Sequence, residues 1–214
     1  MSAVTAVLCA TDSETALWPL AGTPLVVHAA RLLPGCGLLE RPVELECIVV
    51  AGGAAACAAV AADLPDLSVI PVDGGLPAAL RVAASGSAAV VVVHEAARAL
   101  APAELLTATI ATVRAGAEVA VPVTAVSDTI KHIADDGTIL STVDRSALRT
   151  VQAPYCFDRQ ALIRLLENGT DVDRAWQLAT SLTTVPGHAD AFAIDSPAAR
   201  SLAGQVLARR SVRA

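Results

Sequence analysis

Lysine occurs once in this 214-residue chain, at position 131, and aromatic residues make up only 2% of it. Acidic side chains outnumber basic ones, 21 to 15, for a formal net charge of −6. Proteins that grip nucleic acid carry excess positive charge and aromatic stacking surfaces, so both shortages argue against a nucleic-acid partner. No apolar run approaches the roughly 18 to 20 residues of a membrane-spanning helix. The longest, Ala54–Ala62 and Ala88–Val93, have the length of core elements, so no membrane role is expected. No Lys or Arg precedes Arg31. The apolar stretch Ala3–Ala10 therefore lacks the basic flank of a secretory signal and reads as a buried strand. The cysteines, at 9, 36, 47, 57 and 156, include no CxxC pair. Without an export signal they read as reduced thiols of a cytoplasmic protein.

What is present is apolar and small. Hydrophobic residues make up 54% of the chain, enough Val, Leu, Ile and Ala to exclude a disordered polymer. The length suits one domain with a sizeable core, and no linker or internal repeat divides it. Short β-branched runs alternate with Ala/Leu-rich helical segments, the pattern of an α/β layered sheet. Strands are predicted at Ala3–Ala10, Glu46–Ala51, Ser68–Val72, Ala88–His94, Val119–Val123 and Thr183–Pro186. Helices are predicted at Pro24–Leu33, Ala54–Leu64, Pro77–Ser85, Pro102–Ala115, Asp158–Glu167 and Val172–Ser181, with another from Pro197. Ala88–His94 is the most apolar run and therefore the expected central strand, because a strand covered on both faces loses its alternation.

The segment from Ser127 to Gln152 breaks this rhythm. Asp128–Ile133 and Thr138–Val143 alternate around the turn signal Asp135-Asp136-Gly137. A two-stranded excursion from a parallel sheet buries little by itself, so the reading is an arm that packs on a partner subunit.

Chemistry is expected where strands end, since ligands of open α/β sheets bind at the carboxyl edge. His94-Glu95-Ala96-Ala97-Arg98 lies there. Glu95 can ligate Mg²⁺ and Arg98 can hold phosphate oxygens, although a solvated Glu–Arg pair is the plainer reading. Asp128, Lys131 and Arg145 fall on the arm, where Asp144-Arg145 reads equally as a turn with an ion pair. Thr170-Asp171 reads as a helix N-cap. The histidines show no metal spacing. Gly52-Gly53 lacks the third glycine and downstream lysine of a phosphate loop, so it reads as a tight turn.

Four blocks sharpen this picture: VVVHEAARAL, VPVTAVSDTIK, DDGTILSTVDRSALRTVQAP and VPGHADAFAIDSP. In order and spacing they resemble the 2-C-methyl-D-erythritol 4-phosphate cytidylyltransferases of non-mevalonate isoprenoid synthesis. LWPLAGTPLVVHAARLL resembles the family's first helix region. The resemblance implies a three-layer α/β/α sandwich, a Rossmann-like nucleotidyltransferase fold with a protruding β-arm, and a homodimer interlocked through that arm at about 127–152. It implies CTP and methylerythritol phosphate as substrates and Mg²⁺ as cofactor, with pyrophosphate released. By the same resemblance Glu95 stands at the metal-binding Asp, and Arg98 follows in the AAR motif. Asp128 and Arg145, with Lys131 of the DTIK motif, occupy the acceptor and catalytic positions. Thr142 lies nearby on the arm, Asp171 matches the acidic motif after it, and Gly74 and Gly75 remain from a GGxxRxxSV motif on the substrate side.

The departures gather on the CTP side. The family's glycine-rich loop, with its Arg and Lys, is shortened here to Cys9-Ala10-Thr11-Asp12-Ser13-Glu14-Thr15-Ala16, which has no Gly, Arg or Lys and adds two carboxylates. Ala78 replaces the Arg of the GGxxRxxSV motif, and Arg81 its Ser. Ala193 replaces the Lys of the NxKIT tail. A carboxylate about 6 Å from a phosphate charge repels it by about 3 kcal/mol at an effective dielectric of 20. The chain therefore reads as a divergent paralogue with weak or lost activity. The alternatives are a non-catalytic sugar-phosphate binder, a regulator of an active relative, or an enzyme for a less charged activated substrate.

Overall fold

The first strand, β1 (Ala3–Ala10), is almost wholly buried, as its unbroken apolar run dictates. A computed structural model describes residues 3–34, 44–168 and 182–213. After β1 come a four-residue helix, α1 (Ser13–Ala16), a two-stranded ribbon of β2 (Pro19–Leu20) and β3 (Thr23–Pro24), and α2 (Leu25–Leu32). Next are β4 (Glu44–Gly52), α3 (Ala54–Asp63), β5 (Ser68–Val72), α4 (Gly75–Ser85) and β6 (Val90–Glu95). A 3₁₀ turn (Ala96–Arg98) leads to α5 (Ala103–Arg114) and β7 (Val119–Ala125). The arm carries β8 (Lys131–Ile133) and β9 (Ile139–Thr142), followed by a 3₁₀ turn (Arg145–Ala147) and β10 (Arg149–Val151). The chain continues through β11 (Tyr155–Asp158), α6 (Arg159–Glu167), β12 (Leu182–Pro186), a 3₁₀ turn (Ala189–Ala191) and α7 (Pro197–Arg213). The predicted helix Val172–Ser181, Cys36 and Asp171 lie outside the described residues.

Eight strands form the main sheet, in the order β10-β7-β11-β6-β1-β4-β5, with β12 also on β7. β1 pairs in parallel with β4 and β6, and β4 with β5. β11 runs antiparallel between β6 and β7, so the sheet is mixed. Neither β10 nor β11 was expected from the sequence. Each has three or four residues, and a strand that short acquires its identity from the neighbours it slots between.

Alternation along the strands sorts the core onto two faces. Val4, Ala6 and Leu8 of β1, with Ile48, Val50 and Val92, pack against α2, α3 and α5. Val7, Val49, Val91, Val93 and Phe157 pack against α4 and α6. The result is the expected α/β/α sandwich. Alanine sets its spacing: Ala29, Ala30, Ala56, Ala79 and Ala83 are buried to within 1%, which lets helices approach the sheet closely. Gly52 shows the same economy at the strand ends. A Cβ there would lie 2.8 Å from the Ala10 carbonyl oxygen, so only glycine lets β4 finish beside β1. No helix among the described residues is long and apolar enough to cross a membrane.

Candidate active site

β1, β4, β5 and β6 all end at one edge, and three adjoining cavities lie over it. The largest, about 520 Å³, is lined by Cys9, Thr11, Gly75, Leu76, Pro77, Glu95, Val151 and Tyr155. A second, about 240 Å³, shares Cys9, Thr11 and Glu95 and adds Asp12, Thr15 and Asp195. The third, about 250 Å³, joins Thr11 to Gly52, Gly53, Asp73, Gly74 and Gly75. Thr11 borders all three, so the first turn after β1 is the hinge of the cleft.

Glu95 is placed by strand pairing. It ends β6 and lies opposite Cys9 of β1 in register, on the sheet face that carries Val93. The chain then tightens into a 3₁₀ turn that brings Arg98 back over it. Arg98 Nε donates to Glu95 Oε2 at 2.7 Å. Nη1 donates to the Ala191 carbonyl at 2.7 Å and Nη2 to the Val151 carbonyl at 3.3 Å.

Gly74 and Gly75 both have positive φ, 97° and 71°, a left-handed turn that an L side chain rarely adopts. They let α4 start directly at the cleft, two residues before the predicted Pro77. The first turns of α3 and α4 have no side-chain cap, so their backbone donors are left for water or an anion.

The turn after β1 is the opposite case. Asp12 Oδ1 accepts from the backbone N–H groups of Glu14 and Thr15, both at 3.2 Å, and Oδ2 accepts from Thr15 Oγ1 at 2.6 Å. The Thr15 hydroxyl, followed by the backbone donors, holds the Asp12 carboxyl below its ordinary pKa of 3.8. Two backbone donors and one hydroxyl of this loop are spent on the protein's own carboxylate.

The arm residues form a separate group. Lys131 Nζ donates to Thr142 Oγ1 at 2.7 Å across β8 and β9. Arg145 Nη1 donates to the Ser127 carbonyl at the base of the arm, beside Asp128. Asp144 caps the following turn through the Ser146 N–H at 2.9 Å, which lowers its own pKa. Asp128, Lys131, Thr142 and Arg145 are all exposed, and none lines the cavities around Glu95. The structure thus brings Glu95, Arg98, Gly74 and Gly75 to one edge and leaves the arm set apart from it in this chain.

Sequence reasoning placed Cys9 and Thr11 in the shortened CTP-side loop without giving either a role, and did not single out Tyr155 or Asp195. Cys9 and Thr11 flank the end of a strand already read as β1, and that position was the available signal. Tyr155 and Asp195 reach the cleft only through the fold.

An α/β/α sheet with a carboxylate at the end of its central strand, and a cleft over that edge, fits a nucleotidyltransferase-type protein. The family model for 2-C-methyl-D-erythritol 4-phosphate cytidylyltransferase matches residues 9–209. Proteins of that name from Streptomyces avermitilis and Saccharopolyspora erythraea are 33% and 35% identical to the chain. Those alignments cover 91% and 90% of it, and 84% and 90% of the relatives. The chain belongs to this family. The fold agrees: a crystal structure of the Thermus thermophilus cytidylyltransferase superposes with TM-score 0.73 over 97% of this chain and 99% of that one, at 23% identity. A 4-diphosphocytidyl-2C-methyl-D-erythritol synthase from Anaerococcus prevotii gives TM-score 0.79 over the same shares, at 18% identity.

Proposed function

We propose that the cleft is a cytidylyl-transfer site whose metal and acceptor half is retained and whose triphosphate half is degraded, so that turnover of CTP with methylerythritol phosphate is weak or absent. The observation that carries this reading is Asp12. It sits where the family's loop holds phosphates with Arg and Lys, and its carboxylate already takes the Glu14 and Thr15 backbone N–H groups. A triphosphate entering there meets a fixed anion and no cation from that loop.

The donor set at the strand edge fits Mg²⁺. Arg98 engages Oε2 of Glu95, leaving Oε1 as a hard oxygen donor, and Asp195 lines the same cavity. Mg²⁺ is commonly held by one or two carboxylates plus waters and substrate phosphates. No cluster of three or more His, Cys, Asp or Glu suited to a metal occurs among the described residues. Glu95 would hold the ion, which when bound offsets charge on the nucleotide phosphates.

The remaining roles follow from charge and reach. Arg145 and Lys131 are two of the arm's three Lys and Arg residues, Arg149 being the third, and they attract the acceptor's phosphate. Asp128 and Thr142 orient its polyol, and Asp171 completes the acidic motif after the arm. An oxygen of the acceptor phosphate attacks the α-phosphorus in line, forming one P–O bond as the bond to pyrophosphate breaks. Ile133, Ile139 and Leu140 on the arm are 56%, 63% and 57% exposed. Such an apolar cluster supports burial on a second copy, whose cleft the arm set would then complete. The protein acts in the cytoplasm, where thiols stay reduced.

A non-catalytic sugar-phosphate binder, or a regulator of an active relative, is the second reading. The same spent donors around Asp12 favour it. A pyrophosphate-release assay with CTP, Mg²⁺ and methylerythritol phosphate decides between them. We expect turnover at least about 10³-fold below that of an intact relative, since losing cationic transition-state contacts costs about that much. Calorimetry is expected to detect the acceptor and not CTP. Rapid turnover would overturn the degraded-site reading, and absence of binding by either substrate would overturn both the transfer site and the sugar-phosphate binder, leaving the regulator.

A further inference from the structure

We infer that Arg98 is a positioning residue that locks the Glu95 carboxylate to the root of the arm and to the C-terminal loop, and is not a substrate contact. The inference rests on Glu95 as the metal carboxylate. Its basis is the disposition of one side chain. Arg98 is only 14% exposed, and all three guanidinium nitrogens donate to protein. The acceptors come from three distant segments: Glu95 at the end of β6, Val151 at the end of β10, and Ala191 in the loop that leads to Asp195. A second tie reinforces the third segment, because the Ile194 N–H donates to the Ala97 carbonyl at 2.8 Å.

A guanidinium suits this role, since its planar fork holds several acceptors at fixed angles where an ammonium offers a point charge. A phosphate would have to displace at least one of these hydrogen bonds and leave a part-buried carbonyl unpaired. Val151 lines the 520 Å³ cavity with Glu95. Arg98 therefore sets the distance between the carboxylate and the strand that returns from the arm. Displacement of β10, or of the 188–195 loop, would swing the carboxylate through the same guanidinium.

The test is Mn²⁺ binding to the full chain, read by calorimetry and electron paramagnetic resonance. Removing a group that orients a metal ligand weakens binding by about 10- to 100-fold. Arg98→Ala is expected to weaken Mn²⁺ binding at least about tenfold, and Arg98→Lys to restore only part of the loss. In a Glu95→Gln background, Arg98→Ala should have little further effect. Arg164→Ala, which removes a surface partner of Glu118, is the arginine control and should leave Mn²⁺ affinity unchanged. Thermal unfolding confirms that each variant is folded at the assay temperature.

The opposite pattern overturns the inference: Mn²⁺ affinity unchanged in Arg98→Ala while methylerythritol phosphate binding is lost, which marks a substrate contact. Independent, additive effects of the two substitutions, or no Mn²⁺ binding by the unaltered chain, overturn it as well. Absence of cytidylyl transfer with the Mn²⁺ pattern intact would sink the proposed reaction and leave Arg98 in this role.

Discussion

His94 precedes Glu95 and has no exposed surface. Alternation places it on the Leu8 and Val92 face of the sheet, and neither ring nitrogen has a hydrogen-bond partner among the described groups. Burial, followed by the nearby Arg98 charge, pushes its pKa from 6.5 down to about 3. The folded protein therefore keeps a neutral ring where the unfolded chain takes up a proton. Between pH 6.5 and about 3 the unfolded state binds more protons, so stability falls as pH is lowered through that window. At pH 5 this one group costs about 2 kcal/mol relative to pH 7. His94→Leu removes the proton acceptor at similar volume. We expect urea denaturation of this variant to show that much less loss between pH 7 and pH 5. An unchanged pH dependence would refute the neutral ring. Nothing in VVVVHE announces this state, since a strand-end histidine reads equally as a solvated side chain until packing closes over it.

At the scale of elements, the turn into α1 is where the proposed loss of nucleotide binding is tested. Asp12 was legible as a carboxylate in a loop that should be basic, but its hydrogen bonds were not. They add to the absence of cations the occupation of two backbone donors, those of Glu14 and Thr15. Restoring charge at two places should reverse the effect: Asp12→Asn removes the fixed anion, and Ala193→Lys returns the tail cation. A hydrogen bond to a charged group contributes about 1.5–3 kcal/mol, so the pair of substitutions is expected to tighten CTP binding by about tenfold or more. The measurement is calorimetry with CTP and Mg²⁺. No gain would mean that this turn does not face the triphosphate. The helices are more conventional. Asp158 accepts from the Ala161 N–H at 2.9 Å and starts α6, one residue inside the predicted boundary, because an N-cap is a local hydrogen-bond solution visible in short sequence.

At the scale of the molecule, the arm is the feature that a single chain does not satisfy. Among the described residues β8 and β9 pair only with each other, and a two-stranded ribbon is marginal in water. With Ile133, Ile139 and Leu140 exposed, a second copy is the occupant that would bury them. Light scattering is expected to give a dimer, and Ile139→Asp with Leu140→Asp a monomer that remains folded, since these residues lie outside the core. A monomer before substitution would refute the interlocked arrangement.

Local chemistry was enough to determine the layers: alternating apolar strands, alanine-rich helices, the hairpin signal at Asp135-Asp136-Gly137, and Glu95 at a strand exit. Each depends on residues a few positions apart. The antiparallel β11 between β6 and β7, the cavity shared by Glu95 and Asp195, and the tie from Arg98 to Val151 and Ala191 join residues from 36 positions apart (Cys156 and Ala120) to 100 (Glu95 and Asp195). Only closure of the sheet brings those groups together, because their contacts depend on packing across the sandwich and not on any periodicity along the chain.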